Sequence, residues 1–255
     1  MTVYTYSKLG NNGAAGNQLW EIAGTIGTAI EECGSVRLPE WYYKKYFTIP
    51  ESYFDPIPQG EEVVDLAPDY LQDLRLWFGC DEVHEALTFS MYSWERIYRL
   101  YEQVMLLDTE LIAVHVRRGN NLQLPNHHPV CSLDYFEEAL DMMGEGQVFV
   151  FSDDLDWCKS QSLFKDAVFA EGNDPKVDVS QLTGAEPLFL DSVMTDLAMM
   201  AQCDKHIISN SSFSWWGAYL SYSSEIIYPA RWYGPALQHI NTSVMFPKNW
   251  KKLDA

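Results

Sequence analysis

Short runs of apolar, β-branched and aromatic residues recur along the chain, and longer stretches with helical spacing lie between them. The runs are Val3–Ser7 (VYTYS), Leu111–Val116 (LIAVHV), Gln147–Ser152 (QVFVFS), His206–Ser211 (HIISNS) and Glu225–Pro229 (EIIYP). A helix is predicted from about Gly16, with Leu19, Ile22, Ile26 and Ile30 as its buried stripe. SLDYFEEALDMM, LDWCKSQSLF and LFLDSVMTDLAMMAQC likewise place apolar residues three and four apart, as amphipathic helices require. Strand, helix, strand in succession means right-handed crossovers and a parallel sheet, so the class is α/β. The order is clearest from Leu111 to about Pro229, which predicts a doubly wound parallel-sheet domain over 108–255. Residues 1–107 form a smaller, loop-rich lobe, with the boundary near Asp108. Within it, Trp41–Pro68 carries many aromatics, prolines and acids and no clean period.

Ligands of open α/β sheets sit beyond the carboxyl ends of the strands, so the chemistry is sought there. KLGNNGAAGNQ follows the first strand; Gly10, Gly13 and Gly16 permit tight backbone paths, and Asn17 suits a helix cap. The loop is a simple turn or an anion cradle, and it lacks both the P-loop and the dinucleotide fingerprint. Arg117 and Arg118 end the LIAVHV strand. In an extended segment they point to opposite faces, so one guanidinium can grip a phosphate while the other braces the loop against a carboxylate. A pair of structural salt bridges is the alternative. Ser152, Asp153 and Asp154 end the next strand. They can accept from a ribose or guanine edge, cap the following helix, or offer an Asp-x-Asp to a divalent ion. HIISNSSFSWWG places Ser209–Ser212 at a helix start near Phe213 or Ser214, a neutral phosphate cradle. Trp215 and Trp216 diverge on that helix and read as core.

Charge narrows the partners. The chain has 17 Lys and Arg against 36 Asp and Glu, a net charge of −19. Such a field disfavours nucleic acid and anionic membranes, and an anionic ligand must be gripped by specific groups. Cys33, Cys80, Cys131, Cys158 and Cys203 show no framework spacing, which predicts reduced thiols and no cysteine-bound zinc. No basic-apolar leader opens MTVYTYSKLG and no apolar run is long enough to span a membrane. A cytoplasmic protein is therefore expected.

The four stretches, in this order, resemble the α-1,2-fucosyltransferases of glycosyltransferase family 11. Gly16-Asn17-Gln18-Leu19-Trp20 matches that family's Gly-Asn-Gln start, and His115-Val116-Arg117-Arg118-Gly119-Asn120-Asn121 its His-x-Arg-Arg-Gly-Asp-Tyr signature. Phe151 through Cys158 matches a Phe-Ser-Asp-Asp-x-x-Trp-Cys segment, and Ser209 through Ala218 matches Ser-Asn-Ser-Thr/Ser-Phe-Ser-Trp-Trp-Gly-Ala. The resemblance implies a two-lobed GT-B-type fold and inverting transfer of L-fucose from GDP-fucose to the 2-hydroxyl of a galactoside, with no metal and no cofactor. It implies that Arg117 and Arg118 are catalytic, Arg117 on the donor diphosphate. Asn17, Gln18, His115, Asn120, Ser152, Asp153, Asp154, Asn210, Ser211, Ser212 and Phe213 would bind substrate. The acceptor would be met by residues 1–107, in a lobe shorter than usual.

Two positions depart from the pattern: Asn120 replaces an aspartate and Asn121 a tyrosine. They keep two alternatives open, a binding module descended from a transferase and a transferase using another nucleotide sugar. No catalytic base stands out; a carboxylate, a water chain or the departing phosphate would each serve.

Overall fold

The structure is a computed structural model, described over residues 1–69, 71–171 and 188–254. Met1–Trp94 with Ser243–Pro247 forms one compact unit, and Glu95–Thr242 with Lys248–Ala255 the other.

In the first unit, β1 (Val3–Thr5) leads through the glycine loop into α1 (Ala15–Glu31), followed by β2 (Ser35–Val36), β3 (Val63–Asp65) and α2 (Asp81–Ala86). The strands form a parallel sheet in the order β2-β1-β3. Helix α1 starts at Ala15 after an extended Ala14 that makes no side-chain cap. The expected cap, Asn17, therefore lies inside the first turn, and its amide oxygen accepts from Gln72 Nε2 at 3.0 Å. Leu19, Ile22 and Ile26 are buried as the spacing predicts, whereas Ile30, at the frayed end, is exposed. A Cβ on Gly27 would come within 2.3 Å of the Leu76 carbonyl, so only glycine lets α1 pack this closely on that turn.

One residue on α1 breaks the apolar pattern. Glu21 is 0% exposed, and neither of its carboxyl oxygens has a hydrogen-bond partner among the described residues. Burial pushes its pKa up to about 7, against a smaller opposing pull from Tyr6 and Asn12 beside it. Those two are bonded to each other, Asn12 Nδ2 donating to the Tyr6 hydroxyl at 2.6 Å.

Helix α3 (Met91–Met105) carries the chain across the division. The second half of α3 is anchored in the second unit. There Tyr101 lies edge-on to Phe149 with centroids 5.5 Å apart and donates to Asp196, and Arg96 Nε donates to the Thr195 hydroxyl at 2.8 Å.

The second unit continues with β4 (Leu111–Val116), α4 (Leu133–Met143), β5 (Gln147–Ser152), α5 (Leu155–Ser160), β6 (Val168–Phe169), α6 (Leu188–Met200), β7 (Lys205–Ile207), α7 (Ser212–Tyr219), β8 (Glu225–Pro229) and β9 (Lys251–Leu253). All its strand pairs are parallel, in the order β6-β5-β4-β7-β8-β9. This is the doubly wound arrangement the sequence predicts, with the winding direction reversing between β4 and β7. Residues of β4 alternate between its faces. Ile112, Val114 and Val116 pack with Phe136 and Ala139 of α4, whose start is capped by Ser132 accepting from Tyr135 N at 3.0 Å. His115 faces the other way. Trp215 and Trp216 are both core, as expected. Among the described residues no helix is long and apolar enough to cross a membrane.

Glu21→Gln should change how stability depends on pH. A carboxyl whose folded pKa is raised to about 7 is favoured in its neutral form. Its contribution is present below the ordinary carboxyl pKa and is lost as pH rises through about 7. Thermal melts should show wild type losing stability relative to the glutamine variant between about pH 5 and about pH 8, by on the order of 3 kcal/mol. Parallel melting curves across that range would show that Glu21 does not titrate there.

Candidate functional site

The reversal between β4 and β7 leaves a crevice at their carboxyl ends. Val114 pairs with Ile207, so Arg117 and Asn210 leave the sheet at the same level, and Val116 pairs with Ser152, which brings Asp153 alongside Arg117. Register alone therefore gathers most of the predicted residues of the second unit at one edge.

Arg117 and Arg118 take different environments. Arg117 Nη1 donates to Asp153 Oδ2 at 2.6 Å and its Nη2 to Asn120 Oδ1 at 2.6 Å. Its remaining N–H donors have no partner among the described residues, and its side chain stays 34% exposed. Arg118 Nε donates to Asp154 Oδ2 at 2.9 Å, and its guanidinium lies 3.8 Å from the centroid of the Trp157 ring. Arg118 is thus sandwiched between a carboxylate and an aromatic face, whereas Arg117 is held at one side and open at the other.

The acids are equally divided. Asp153 bridges the pair, its Oδ1 accepting from the Arg118 backbone N–H at 2.9 Å while Oδ2 holds Arg117. Asp154 caps α5 by accepting from Trp157 N at 3.2 Å. Ser152 is a brace: its hydroxyl donates to the Val116 carbonyl at 2.8 Å and accepts from Asp154 N at 2.9 Å. Gly119 makes the cluster feasible, since a Cβ there would meet Asp153 Oδ2 at 2.3 Å.

On the β7 side, His115 Nδ1 lies 2.7 Å from the Ser209 hydroxyl, with Phe213 tilted against its ring at 5.6 Å. Burial, with the nearby Arg117 charge second, depresses its pKa to about 3, so the imidazole is neutral. Asn210 Nδ2 donates to the carbonyls of Pro129 (2.6 Å) and Trp232 (3.2 Å), which ties two loops to the end of β7. Ser211 and Ser212 open α7, one residue ahead of the expected start, with its N-terminus at the same edge. Asn17 and Gln18 belong to the first unit. Gln18 is engaged at both ends, Nε2 on the Gly13 carbonyl at 3.0 Å and Oε1 on Trp41 Nε1 at 2.8 Å. Among the described residues no group of three His, Cys, Asp or Glu is placed to hold a metal ion.

Two partners escaped sequence reasoning. Trp157 was legible as a helix residue and a member of the Phe151–Cys158 motif but was given no partner, although its place three after Asp154 puts it on the cap's side of α5. Ser209 read as one more cradle hydroxyl, yet it pairs with His115 across the reversal. Gly119→Ala should displace Asp153 and cost about 1–3 kcal/mol through overpacking. Urea unfolding of the variant measures this; an unchanged midpoint would show that the Arg117–Asp153 contact tolerates a methyl group.

Residues 33–254 match the model of the family described as glycosyl transferase family 11. An α-1,2-colitosyltransferase from Escherichia coli is 31% identical over 155 residues, 57% of this chain and 48% of the relative. The O-antigen biosynthesis glycosyltransferase WbnK, also from Escherichia coli, is 30% identical over 143 residues, 52% of this chain and 43% of the relative. These matches thus span about half the length of either relative. The structure of NodZ α-1,6-fucosyltransferase soaked with GDP-fucose aligns over 86% of this chain and 92% of its own, with a TM-score of 0.50 and 15% identity. That likeness is one of fold, the GT-B type expected from the motifs. The chain belongs to glycosyl transferase family 11.

Proposed function

We propose that the second unit binds GDP-fucose at the β4/β7 reversal, and that the protein transfers the L-fucosyl group with inversion to the 2-hydroxyl of a galactoside, without a metal. The observation that carries this reading is the half-open guanidinium of Arg117, fixed by Asp153 and Asn120 at the crevice where the α7 N-terminus also points. A nucleoside diphosphate needs such a fixed cation beside neutral donors. The GDP-fucose in the aligned NodZ crystal supports the choice of donor.

In this reading the acceptor oxygen attacks the anomeric carbon from one face while the bond to the β-phosphate oxygen breaks on the other. GDP leaves with the bonding electrons, and Arg117, Ser211 and Ser212 meet the added negative charge. Arg118 touches no phosphate; packed on Trp157 and paired with Asp154, it keeps the loop from shifting when Arg117 changes partners. The neutral His115 lines the floor and supplies a hydrogen bond without competing charge. The departing phosphate is a candidate acceptor for the hydroxyl proton.

A second reading, a colitosyl donor, is favoured by the colitosyltransferase relative. Competition between the two activated sugars in one assay decides between them. Arg117→Ala should abolish GDP binding by calorimetry while leaving the circular dichroism spectrum intact, and any residual turnover should fall about 10²–10³-fold. Unchanged GDP affinity would end the proposal. A chelator should leave turnover unaffected, because the guanidinium does the work assigned elsewhere to an ion. Loss of turnover restored by Mn²⁺ would move the chemistry to the Asp154-x-Asp156 pair.

A further inference from the structure

The second unit holds a cavity of about 690 Å³ past the carboxyl ends of β8 and β9, away from Arg117 along the same sheet edge. Pockets for small ligands run from roughly 300 to 1,000 Å³, so its size suits one or two sugar rings. Its walls are tied together. Asn210 fastens one wall at Pro129 and another at Trp232. Gly234 N donates to the His127 carbonyl at 2.8 Å and Ala236 N to that of Asn126 at 2.9 Å, and a Cβ on Gly234 would meet the Asn126 carbonyl at 2.3 Å.

Its lining is chemically distinctive. Arg231 and Asp254 both face the cavity and are exposed, yet among the described residues neither makes a salt bridge, with the other or with anything else. Gln238 and Thr242 add neutral polar groups, and Leu237 and Ile240 an apolar strip. A cation and an anion held apart over neutral and apolar surface suit hydroxyl groups, which accept from one and donate to the other. A phosphate would meet the carboxylate, and a purely apolar ligand would leave both charges unanswered.

Position supplies the rest. Neighbouring strands lie about 4.8 Å apart. The sequence motifs assign the ribose or guanine edge to Asp153 after β5, and the proposed function sets the diphosphate at β4/β7, so on these two readings the transferred sugar extends toward β8. We propose that this cavity is the acceptor subsite, taking a neutral, galactose-terminated saccharide whose hydroxyls bridge Arg231 and Asp254. The assignment rests on that donor orientation, and it gives acceptor recognition to the nucleotide-binding unit, where sequence alone points to the first lobe.

Saturation-transfer NMR with lactose, on the intact chain with GDP present, tests this. Wild type should show transfer to the galactose ring. Arg231→Ala and Asp254→Ala should each weaken lactose binding about tenfold or more, as loss of a charged hydrogen bond does. Ile240→Trp, which fills the cavity from an exposed position, should abolish it. GDP affinity by calorimetry should stay within about twofold of wild type in all three variants. Absence of a lactose signal from wild type, or a signal unchanged in all three variants, would overturn the assignment. Lactose binding lost in the variants of a protein that does not bind GDP would leave the saccharide site standing and refute the donor reading instead.

Discussion

The site depends on two adjacent arginines being held apart in role as well as in space. Side by side at the end of β4, Arg117 and Arg118 would repel each other, and an uncompensated pair would pull the loop toward water. Asp153 and Asp154, brought level by the β4–β5 register, answer one each. Both pairs are partly exposed, so each adds little to stability. Their effect is on position: Asp153 bonds to Arg117 and to the backbone of Arg118 at once, and Gly119 leaves the room that this requires. The four charges sum to zero. Asn120 keeps that balance, because the family's aspartate in its place would set a second carboxylate against Arg117.

Around this quartet the sheet acts as a ruler. The β4–β5 register pairs Val116 with Ser152, and the β4–β7 register brings Arg117 level with Asn210 and His115 within reach of Ser209. Asn210 then carries the order outward, holding loops from two other connections to the end of β7. A polar residue that reads in sequence as a ligand contact is, in the fold, a joint between the crevice and the cavity beyond β8. In the first unit neither carboxyl oxygen of the buried Glu21 has a hydrogen-bond partner among the described residues, and burial favours its neutral form.

How much of this was legible follows from element length and from where partners lie. The six-residue β4 and β5 carry enough apolar positions to be recognised, and their ends mark the arginine and aspartate clusters. The two-residue β2 and β6 and the three-residue β3 and β9 have no pattern to read, since pairing with neighbours alone makes them strands. Helix α3 was not recognised because its anchors, Thr195, Asp196 and Phe149, lie far along the sequence. The stretch LFLDSVMTDLAMMAQC, read as a helix, is observed as α6 over Leu188–Met200. The expectation that Asn17 caps α1 failed for a local reason, since Ala14 already adopts the extended geometry that starts the helix.

On the proposed function, the quartet also answers how a chain of net charge −19 would hold a dianionic nucleotide without a basic surface. An incoming diphosphate need not find a free cation; it needs one whose present partner can let go without cost to the loop. Asp153 is such a partner. When Oδ2 gives up Arg117, Oδ1 keeps the backbone N–H of Arg118, and Arg118 itself stays clamped between Asp154 and Trp157. On that reading Arg117 would exchange one exposed carboxylate for phosphate oxygens with little rearrangement, keeping its contact to the neutral Asn120 amide. With an aspartate in place of Asn120, the guanidinium would face two anions already in place. The diphosphate would then have to displace both, so on the proposed function the amide at this position would favour donor binding in an otherwise acidic protein.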